Sequence, residues 1–281
     1  MNFGAHAFVW AGEWNKDAAD KIINGAASAG LDFVEIGLLR PDEFDPEDTR
    51  KRLEAKGLSA TFSLGLPASA TLPDNPQGAE AFLIKVLDKI QATGNNMLTG
   101  VIYGTLGELP GRRPNEQDYD TIAKTLKSVA KEAAKRDIYI GLEPVNRYET
   151  FLLNTVEQAL SVVEKIGEDN VFIHLDTYHM NIEEDDFAES IRQAGSKLGY
   201  IHLSESHRGT PGSGTVDWDS VFQGLADIDY RGGLTMESFA DINPDIARAT
   251  CMWRDIVQDS DALVRDGLAF LRGKAEAYGL K

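Results

Sequence analysis

The chain has 281 residues and carries 45 acidic against 28 basic side chains, which gives a formal net charge of −17 at pH 7. Such acidity argues against binding to nucleic acids or anionic membranes, because no basic field is present to attract phosphate groups. Hydrophobic residues make up 42% of the chain, enough to bury a sizeable core, so an intrinsically disordered protein is excluded.

Short apolar segments alternate along the chain with longer segments whose apolar residues recur every three or four positions. The short segments predict strands at 3–9, 32–37, 58–65, 97–103, 138–143, 171–176, 199–204 and 232–238. The longer segments predict helices at 16–29, 46–56, 78–93, 116–136, 154–166, 185–197, 217–228 and roughly 247–278.

This alternation implies parallel strands joined by crossover helices. Eight such units in a chain of this length fit a closed (β/α)₈ TIM barrel better than an open doubly wound sheet, which is the alternative. We therefore predict an α/β fold and one catalytic domain spanning residues 1–281. The last predicted helix carries Trp253 and offers an outer surface for association between copies.

Three sequence features bear on cellular location. No apolar run approaches the length of a membrane-spanning helix, and the N-terminus lacks the basic and apolar regions of a signal peptide. Cys251 is the single cysteine, so an internal disulfide and a cysteine-based zinc cluster are excluded. We expect a cytoplasmic protein without membrane contact.

Charged residues stand at or near the ends of four consecutive predicted strands, namely Glu143, Asp176, His202 and Glu237. The carboxyl ends of barrel strands form one rim, so these side chains are expected to meet. Each alone could form a salt bridge or cap a helix, but three carboxylates at one opening repel each other unless a cation lies between them. Three carboxylates and one imidazole suit one divalent ion, with Mn²⁺ the first choice and Mg²⁺, Co²⁺ or Zn²⁺ as alternatives.

Further polar residues follow the same strand ends in the predicted loops. Glu149, His179 and Arg208 lie just beyond them, where they could face a ligand. The alternatives are a helix-cap or surface role for His179 and simple neutralisation of the acidic rim by Arg208.

For the other candidate residues, the sequence is compatible both with a role in binding and with a role in packing. His6 and Trp14 could contact a sugar or belong to the core. Glu35 could reach the site or anchor a neighbouring strand. His174 is interpreted as a core histidine and is left out of the predicted site.

A glycine-rich segment at 208–218 follows the seventh predicted strand, where barrels often bind phosphate. Such a segment more often only permits a tight turn of the chain. Arg112 and Arg113 are the other clustered cations that could hold a distal phosphate. Glu205 and His207 are expected to support the site from behind or to lie at the surface.

Four segments, in this order and spacing, resemble the ketose 3-epimerases of the xylose-isomerase-like barrel group: LEPVNRYET, HLDTYHMNIEE, HLSESHRG and MESF. The likeness runs from HAFVW near the N-terminus to WRD at 253–255 and thus covers nearly the whole chain. The HRG form is more similar to the L-ribulose and D-allulose branch than to the D-tagatose branch. Two features depart from the family: Pro144 replaces an aliphatic residue, and the loop YGTLGELPGRRP lacks a tryptophan found in some members.

The resemblance implies a residue-by-residue assignment of the site. A divalent metal would be held by Glu143, Asp176, His202 and Glu237. Glu143 and Glu237 would also be the acid/base pair on opposite faces of C3 of a ketose. The O1–O3 end of the sugar would be bound by Glu149, His179 and Arg208, and a substrate role is also expected for His6. The resemblance further implies a homodimer or homotetramer.

The expected activity is epimerisation of free ketoses at C3 through an enediolate. One alternative is an aldose–ketose isomerase of the hydroxypyruvate or erythrulose type using the same metal site. An apurinic endonuclease of the same barrel group would need a basic DNA track, which the charge of −17 argues against. A sugar-binding protein without turnover is the alternative from another class, and the intact pair of glutamates argues against it.

Overall fold

The computed structural model describes residues 1–280, which form a closed parallel barrel of eight strands surrounded by helices. The strands pair in chain order, and the last closes on the first. The strands are β1 Phe3–His6, β2 Phe33–Gly37, β3 Ser59–Ser63, β4 Met97–Thr99, β5 Tyr139–Leu142, β6 Val171–Asp176, β7 Leu198–His202 and β8 Gly233–Met236. The helices are α1 Lys16–Ser28, α2 Pro46–Glu54, α3 Pro76–Thr93, α4 Glu116–Ala134, α5 Val156–Ile166, α6 Thr177–Glu183, α7 Phe187–Ala194, α8 Trp218–Asp227, α9 Pro244–Thr250 and α10 Ser260–Ala277.

The predicted (β/α)₈ barrel is confirmed, and the open sheet is excluded by the pairing of β1 with β8. The assignment of residues 1–281 to one domain stays a prediction. Strand register already brings site residues together, because paired residues at one height of a parallel sheet point the same way. Asp176 pairs with His202, and His6 pairs with Glu35.

The helices pack against the outside of the barrel with the faces on which apolar residues recur regularly. Along α4, Ile122, Leu126 and Val129 are fully buried, while its exposed face is charged. The helix begins with a reciprocal capping box, in which Asn115 and Asp118 each accept from the other's backbone N–H. Among residues 1–280, none of the helices combines the length and hydropathy needed to cross a bilayer.

All strands but β6 are shorter than predicted, β4 and β1 among them because the chain turns at their ends. β1 stops at His6, whose ring Nδ1 accepts from the N–H of Phe8 and starts a short 3₁₀ turn. β4 stops at Thr99, because Gly100 takes a φ of 105°, which leaves the strand conformation. A Cβ at Gly100 would also lie 2.6 Å from the carbonyl oxygen of Leu64.

Two helix predictions were wrong. The sequence pattern missed α6, which begins directly at the end of β6 because Asp176 accepts from the N–H of Tyr178 as its N-cap. The predicted helix at 247–278 is two helices, since Cys251 ends α9 with a left-handed φ of 55°. Trp253 therefore lies between the helices, where it is 76% exposed.

The packing of α7 against α8 gives a test of the helical layer. An added Cβ at Gly224 would lie 2.8 Å from Cα of Ala188 and 3.0 Å from Cβ of Ile191. We expect Gly224→Ala to lower the free energy of unfolding by about 1–3 kcal/mol, because two packed helices must separate. Urea unfolding followed by circular dichroism measures the difference.

Gly273 on α10 is the matched control, since a Cβ there meets no described atom within 4 Å. Gly273→Ala should raise the free energy of unfolding by about 0.5–1 kcal/mol, because alanine favours the helix interior. Equal stabilities of the two variants would contradict the close α7–α8 packing.

Candidate active site

A cavity of about 1000 Å³ opens at the carboxyl ends of the strands. Its inner wall includes three of the four strand-end residues predicted to bind metal, namely Glu143, His202 and Glu237. Its outer part reaches the loops after β1, β2 and β8. The other residues predicted to face a ligand also line it: His6, Trp14, Glu149, His179 and Arg208.

The four predicted metal ligands meet around one ring nitrogen. Nδ1 of His202 lies 3.8 Å from Oε1 of Glu143, 3.6 Å from Oδ2 of Asp176 and 3.5 Å from Oε2 of Glu237. Each residue comes from the end of a different strand, as the barrel rim requires. Asp176, His202 and Glu237 also offer three ligand atoms within 4.8 Å of one another.

This geometry fits a divalent cation. Two atoms that bind one ion at about 2.1 Å lie roughly 3–4 Å apart, which matches the spacing around His202. Nδ1 of His202 is buried and has no hydrogen-bond partner among the described residues. A buried polar atom without a partner is costly, and a cation among the carboxylates would satisfy it.

Glu35 orients the ring of His202 from beneath. Oε2 of Glu35 lies 2.6 Å from Nε2 of His202 and accepts from the Tyr200 hydroxyl over 2.7 Å. Because Nε2 faces a carboxylate, it carries the proton and leaves Nδ1 free to bind a cation. The sequence left two roles open for Glu35, one in the site and one as an anchor for a neighbouring strand. Its contact with His202 shows that it supports the site.

The two carboxylate oxygens of Asp176 have different roles: one caps a helix, and the other faces the site. Oδ1 accepts from the N–H of Tyr178 over 2.6 Å and caps α6. Oδ2 faces the rim, where it accepts from Ser204 Oγ over 3.1 Å and from Arg208 Nη1 over 2.7 Å. The two alternative roles considered for this residue, helix cap and site residue, are thus compatible.

The Arg208 side chain supplies positive charge inside the rim. Its Nη1 contacts carboxylate oxygens of both Asp176 and Glu237. The guanidinium stacks on the Tyr178 ring, 3.9 Å from the centroid, and Arg208 is 3% exposed. Its backbone has a φ of 62°, an unfavourable conformation for a non-glycine residue that is held here by contacts on several sides.

The two candidate acid/base residues have opposite electrostatic environments. Burial raises the pKa of Glu143 well above its ordinary value. Burial acts in the same direction on Glu237, but Arg208 and His202 hold the pKa of Glu237 well below its ordinary value. Two carboxyl groups whose pKa values are driven apart can act as separate acid and base.

His179 and Glu149 are linked through Asn146, a residue that the sequence analysis missed. Nδ1 of His179 accepts from the Asn146 backbone N–H over 3.1 Å, so the neutral ring carries its proton on Nε2, 3.8 Å from Glu143. Burial lowers the pKa of His179 to about 4. The Asn146 amide donates to Oε1 of Glu149 over 2.8 Å, and burial raises the pKa of Glu149 to about 7. The side chains therefore offer a donor and an acceptor at neutral pH.

Two other histidines in the barrel turn their nitrogens toward protein atoms. Nδ1 of His6 accepts from the Phe8 N–H, and its Nε2 lies 3.2 Å from Ser63 Oγ, so this ring meets the cavity mainly by its carbon edge. Nδ1 of His174 lies 2.9 Å from Thr99 Oγ1 and 3.6 Å from Glu143. His174 is fully buried as expected but borders the site, which its two-residue spacing from Asp176 could have indicated.

The glycine-rich segment after β7 is organised by a carboxylate of the protein itself. Glu205 is fully buried and accepts from the backbone N–H groups of Gly212 over 2.9 Å and Val216 over 3.2 Å. It also accepts from Trp218 Nε1 over 3.1 Å. These donors are therefore already used. Arg112 is held by both oxygens of Asp118, at 2.6 and 3.0 Å, and is likewise engaged.

Comparisons with known proteins identify the relatives of this chain. A family model described as a xylose isomerase-like TIM barrel matches residues 23–274. The chain is 42% identical over 278 residues to an L-ribulose 3-epimerase from Methylomonas sp. (strain DH-1), with 97% of each chain covered. It is 35% identical over 283 residues to a ketose 3-epimerase from Arthrobacter globiformis, covering 99% of this chain and 98% of the relative. A solved D-allulose 3-epimerase from Methylomonas sp. in complex with D-allulose matches with a TM-score of 0.94 and 41% identity, over 98% of this chain and 97% of that chain.

The contact between Glu35 and His202 predicts an effect on metal binding. Glu35→Gln keeps the side-chain shape but removes the charge that orients the ring. We expect the affinity for Mn²⁺ to fall by about 10–100-fold, as is usual when the hydrogen-bond partner of a ligating histidine is lost. Titration calorimetry on the metal-free protein measures this affinity directly.

The control is Glu184→Gln, the same chemical change where the carboxylate binds the N–H of Val156 and the Ser190 hydroxyl. This variant should bind Mn²⁺ like the parent protein. If Glu35→Gln also binds like the parent, Glu35 does not position His202.

Proposed function

This chain belongs to the xylose isomerase-like TIM barrel family and, within it, to the ketose 3-epimerases, which are isomerases, and we propose that it inverts C3 of free ketoses through an enediolate. The substrates would be five- or six-carbon pairs such as D-fructose and D-allulose, L-ribulose and L-xylulose, or D-tagatose and D-sorbose. The observation that carries the proposal is the approach of three carboxylates to one buried nitrogen of His202.

A resident divalent ion would be held by Glu143, Asp176, His202 and Glu237. When bound there, it supplies Lewis-acid stabilisation of the negative charge that develops on the C2 oxygen of the ketose. Oxygen donors with one imidazole favour Mn²⁺, and Mg²⁺ or Co²⁺ would also fit.

Glu143 and Glu237 would exchange the C3 proton. They follow β5 and β8, so they approach the cavity from different sides of the barrel. One carboxylate removes the proton from one face of C3, and the other glutamate returns a proton to the opposite face.

The O1–O3 end of the sugar would be held by Glu149, His179 and Arg208. The Nε2–H of His179 and the guanidinium of Arg208 can donate to oxygens on which charge develops, and the Glu149 carboxyl can bind a hydroxyl. Each of the three side chains is 3% exposed, so water has little access to this end. His6 would complete the wall by contact with its ring edge.

Free sugars suit the site better than sugar phosphates. A phosphate would bring about −2 of charge to an acidic rim. The backbone donors of Gly212 and Val216 already bind Glu205, and Arg112 already binds Asp118. Of the earlier phosphate candidates, Arg112, Arg113 and residues 209–218 also do not line the cavity.

Assembly and location stay predictions. We propose a homodimer or homotetramer in the cytoplasm, with no nucleic-acid partner and no membrane partner. Sedimentation at micromolar concentration tests the assembly.

The acid/base assignment predicts the behaviour of two variants. Glu143→Gln and Glu237→Gln should each lower kcat by at least about 100-fold, because general acid–base catalysis contributes that much or more. Metal content is measured on the same samples by mass spectrometry, since both residues are also expected to bind the ion. A variant that retains metal and a nearly normal kcat would disprove the role of that glutamate.

A panel of sugars tests the proposed activity itself. The metal-loaded protein is incubated with L-ribulose, D-fructose and D-tagatose and with their phosphates, and products are identified by chromatography. We expect C3 epimers of the free sugars, loss of turnover after chelation and recovery with Mn²⁺ or Co²⁺. Aldose products would instead indicate an isomerase, and absence of turnover a binding protein. A phosphate turned over at least about tenfold better, equivalent to about 1.4 kcal/mol of transition-state binding, would overturn the preference for free ketoses.

A further inference from the structure

The cavity is larger than the proposed substrates need. Its volume of about 1000 Å³ lies at the upper end of the range for pockets that enclose drug-sized ligands. A free pentulose or hexulose is much smaller than such ligands, and its reacting end must lie against Glu143 and Glu237. Beyond the reacting end, the lining also includes residues of the loops after β1, β2 and β8, among them Trp14, Arg40 and Asn243.

The inner end of this cavity is enclosed by buried side chains. Glu149, His179 and Arg208, which would hold O1–O3, are each 3% exposed and surrounded by protein. A substituent on C1 would have to displace them. A substituent on the far end of the sugar would instead extend toward the open side of the cavity.

The middle of the cavity has apolar walls. Phe8, Leu38, Leu66 and Phe239 line it and are themselves at most 9% exposed. Apolar and aromatic surfaces suit the C–H faces of C4–C6. They offer no hydrogen bonds that would require a free hydroxyl at C6.

The outer part is polar and holds one fixed aromatic ring. Trp14 is half-buried, and its Nε1 donates to Thr49 Oγ1 over 3.3 Å, which holds the indole at the cavity wall. Glu13 accepts from Arg40 Nη1 over 3.2 Å and from Asn15 Nδ2 over 2.7 Å, and all three residues line the cavity. An aromatic face beside paired hydrogen-bond donors and acceptors matches a sugar ring, which has apolar C–H faces and hydroxyl edges.

We propose that this protein also epimerises ketoses that carry a second sugar on the C6 oxygen, with the second ring in the outer chamber lined by Trp14, Glu13, Asn15 and Arg40. The inference rests on the proposed 3-epimerase function of the same site. The reaction is unchanged: one glutamate takes the C3 proton, the other delivers a different proton to the opposite face, both then exchange protons with solvent, and the glycosidic bond stays intact. No oxidant, reductant or other co-reactant is needed.

Two isomeric disaccharides provide the direct test, since both have a free ketose C2 and differ only in the point of attachment. We expect 6-O-glucosylfructose to be epimerised at C3 with kcat/KM within about tenfold of that for D-fructose, and 1-O-glucosylfructose to be at least about 100-fold poorer. NMR in D₂O reports both the new epimer and deuterium incorporation at C3. Failure with 6-O-glucosylfructose while D-fructose is turned over would overturn this inference alone. Failure with every free ketose would overturn the proposed function.

A pair of variants on α9 locates the second ring. Ala249 lines the cavity on the helix after β8, whereas Ala247 lies on the same helix and is not part of the lining. Ala249→Trp should lower the ratio of kcat/KM for 6-O-glucosylfructose to that for D-fructose by at least about tenfold, because the indole would fill the chamber. Ala247→Trp should leave this ratio unchanged. Equal ratios for both variants would show that the second ring does not occupy the chamber.

Discussion

The repulsion among buried carboxylates at the barrel rim is the constraint on which this structure depends. Glu143, Asp176 and Glu237 each place an oxygen within 3.8 Å of one nitrogen of His202, in a region almost closed to water. Such a cluster is costly unless positive charge lies among the oxygens. Arg208 supplies part of that charge, and a divalent cation would supply the rest. The strained backbone of Arg208 and the buried Glu35 beneath His202 both serve this one centre.

The same electrostatic arrangement separates the two glutamates that face the cavity. Arg208 contacts Glu237 but not Glu143 among the described ion pairs, so burial dominates one carboxyl group and positive charge the other. Because each comes from its own strand, the barrel would place them on different sides of a bound sugar under the proposed function. A stereochemical inversion needs this two-sided access, whereas simple binding does not.

The cavity changes character from its floor to its mouth. Charged groups surround the reacting carbons, apolar side chains such as Phe8 and Phe239 follow, and a polar chamber around Trp14 lies outermost. Under the proposed function, tight recognition would be confined to the first three carbons, where the chemistry would occur. The far end of the substrate would meet surfaces that tolerate variation, which is the physical basis for proposing substrates of different length.

The sequence alone predicts the alternation of strands and helices and the four charged residues at consecutive strand ends, because periodicity and position along a strand are local properties. It missed α6, since Asp176 acts at once as strand end and helix cap, and the break at Cys251, since a left-handed residue carries no apolar signal. The contact of Glu35 with His202, 167 residues away, and the link from Glu149 to His179 through Asn146 are visible only in the folded chain. Those contacts arise when the barrel closes and brings distant strand ends to one rim. The spacing of residues along the chain does not reveal these distances. The chemical role of each polar residue therefore depends on the neighbours that it meets when the barrel closes.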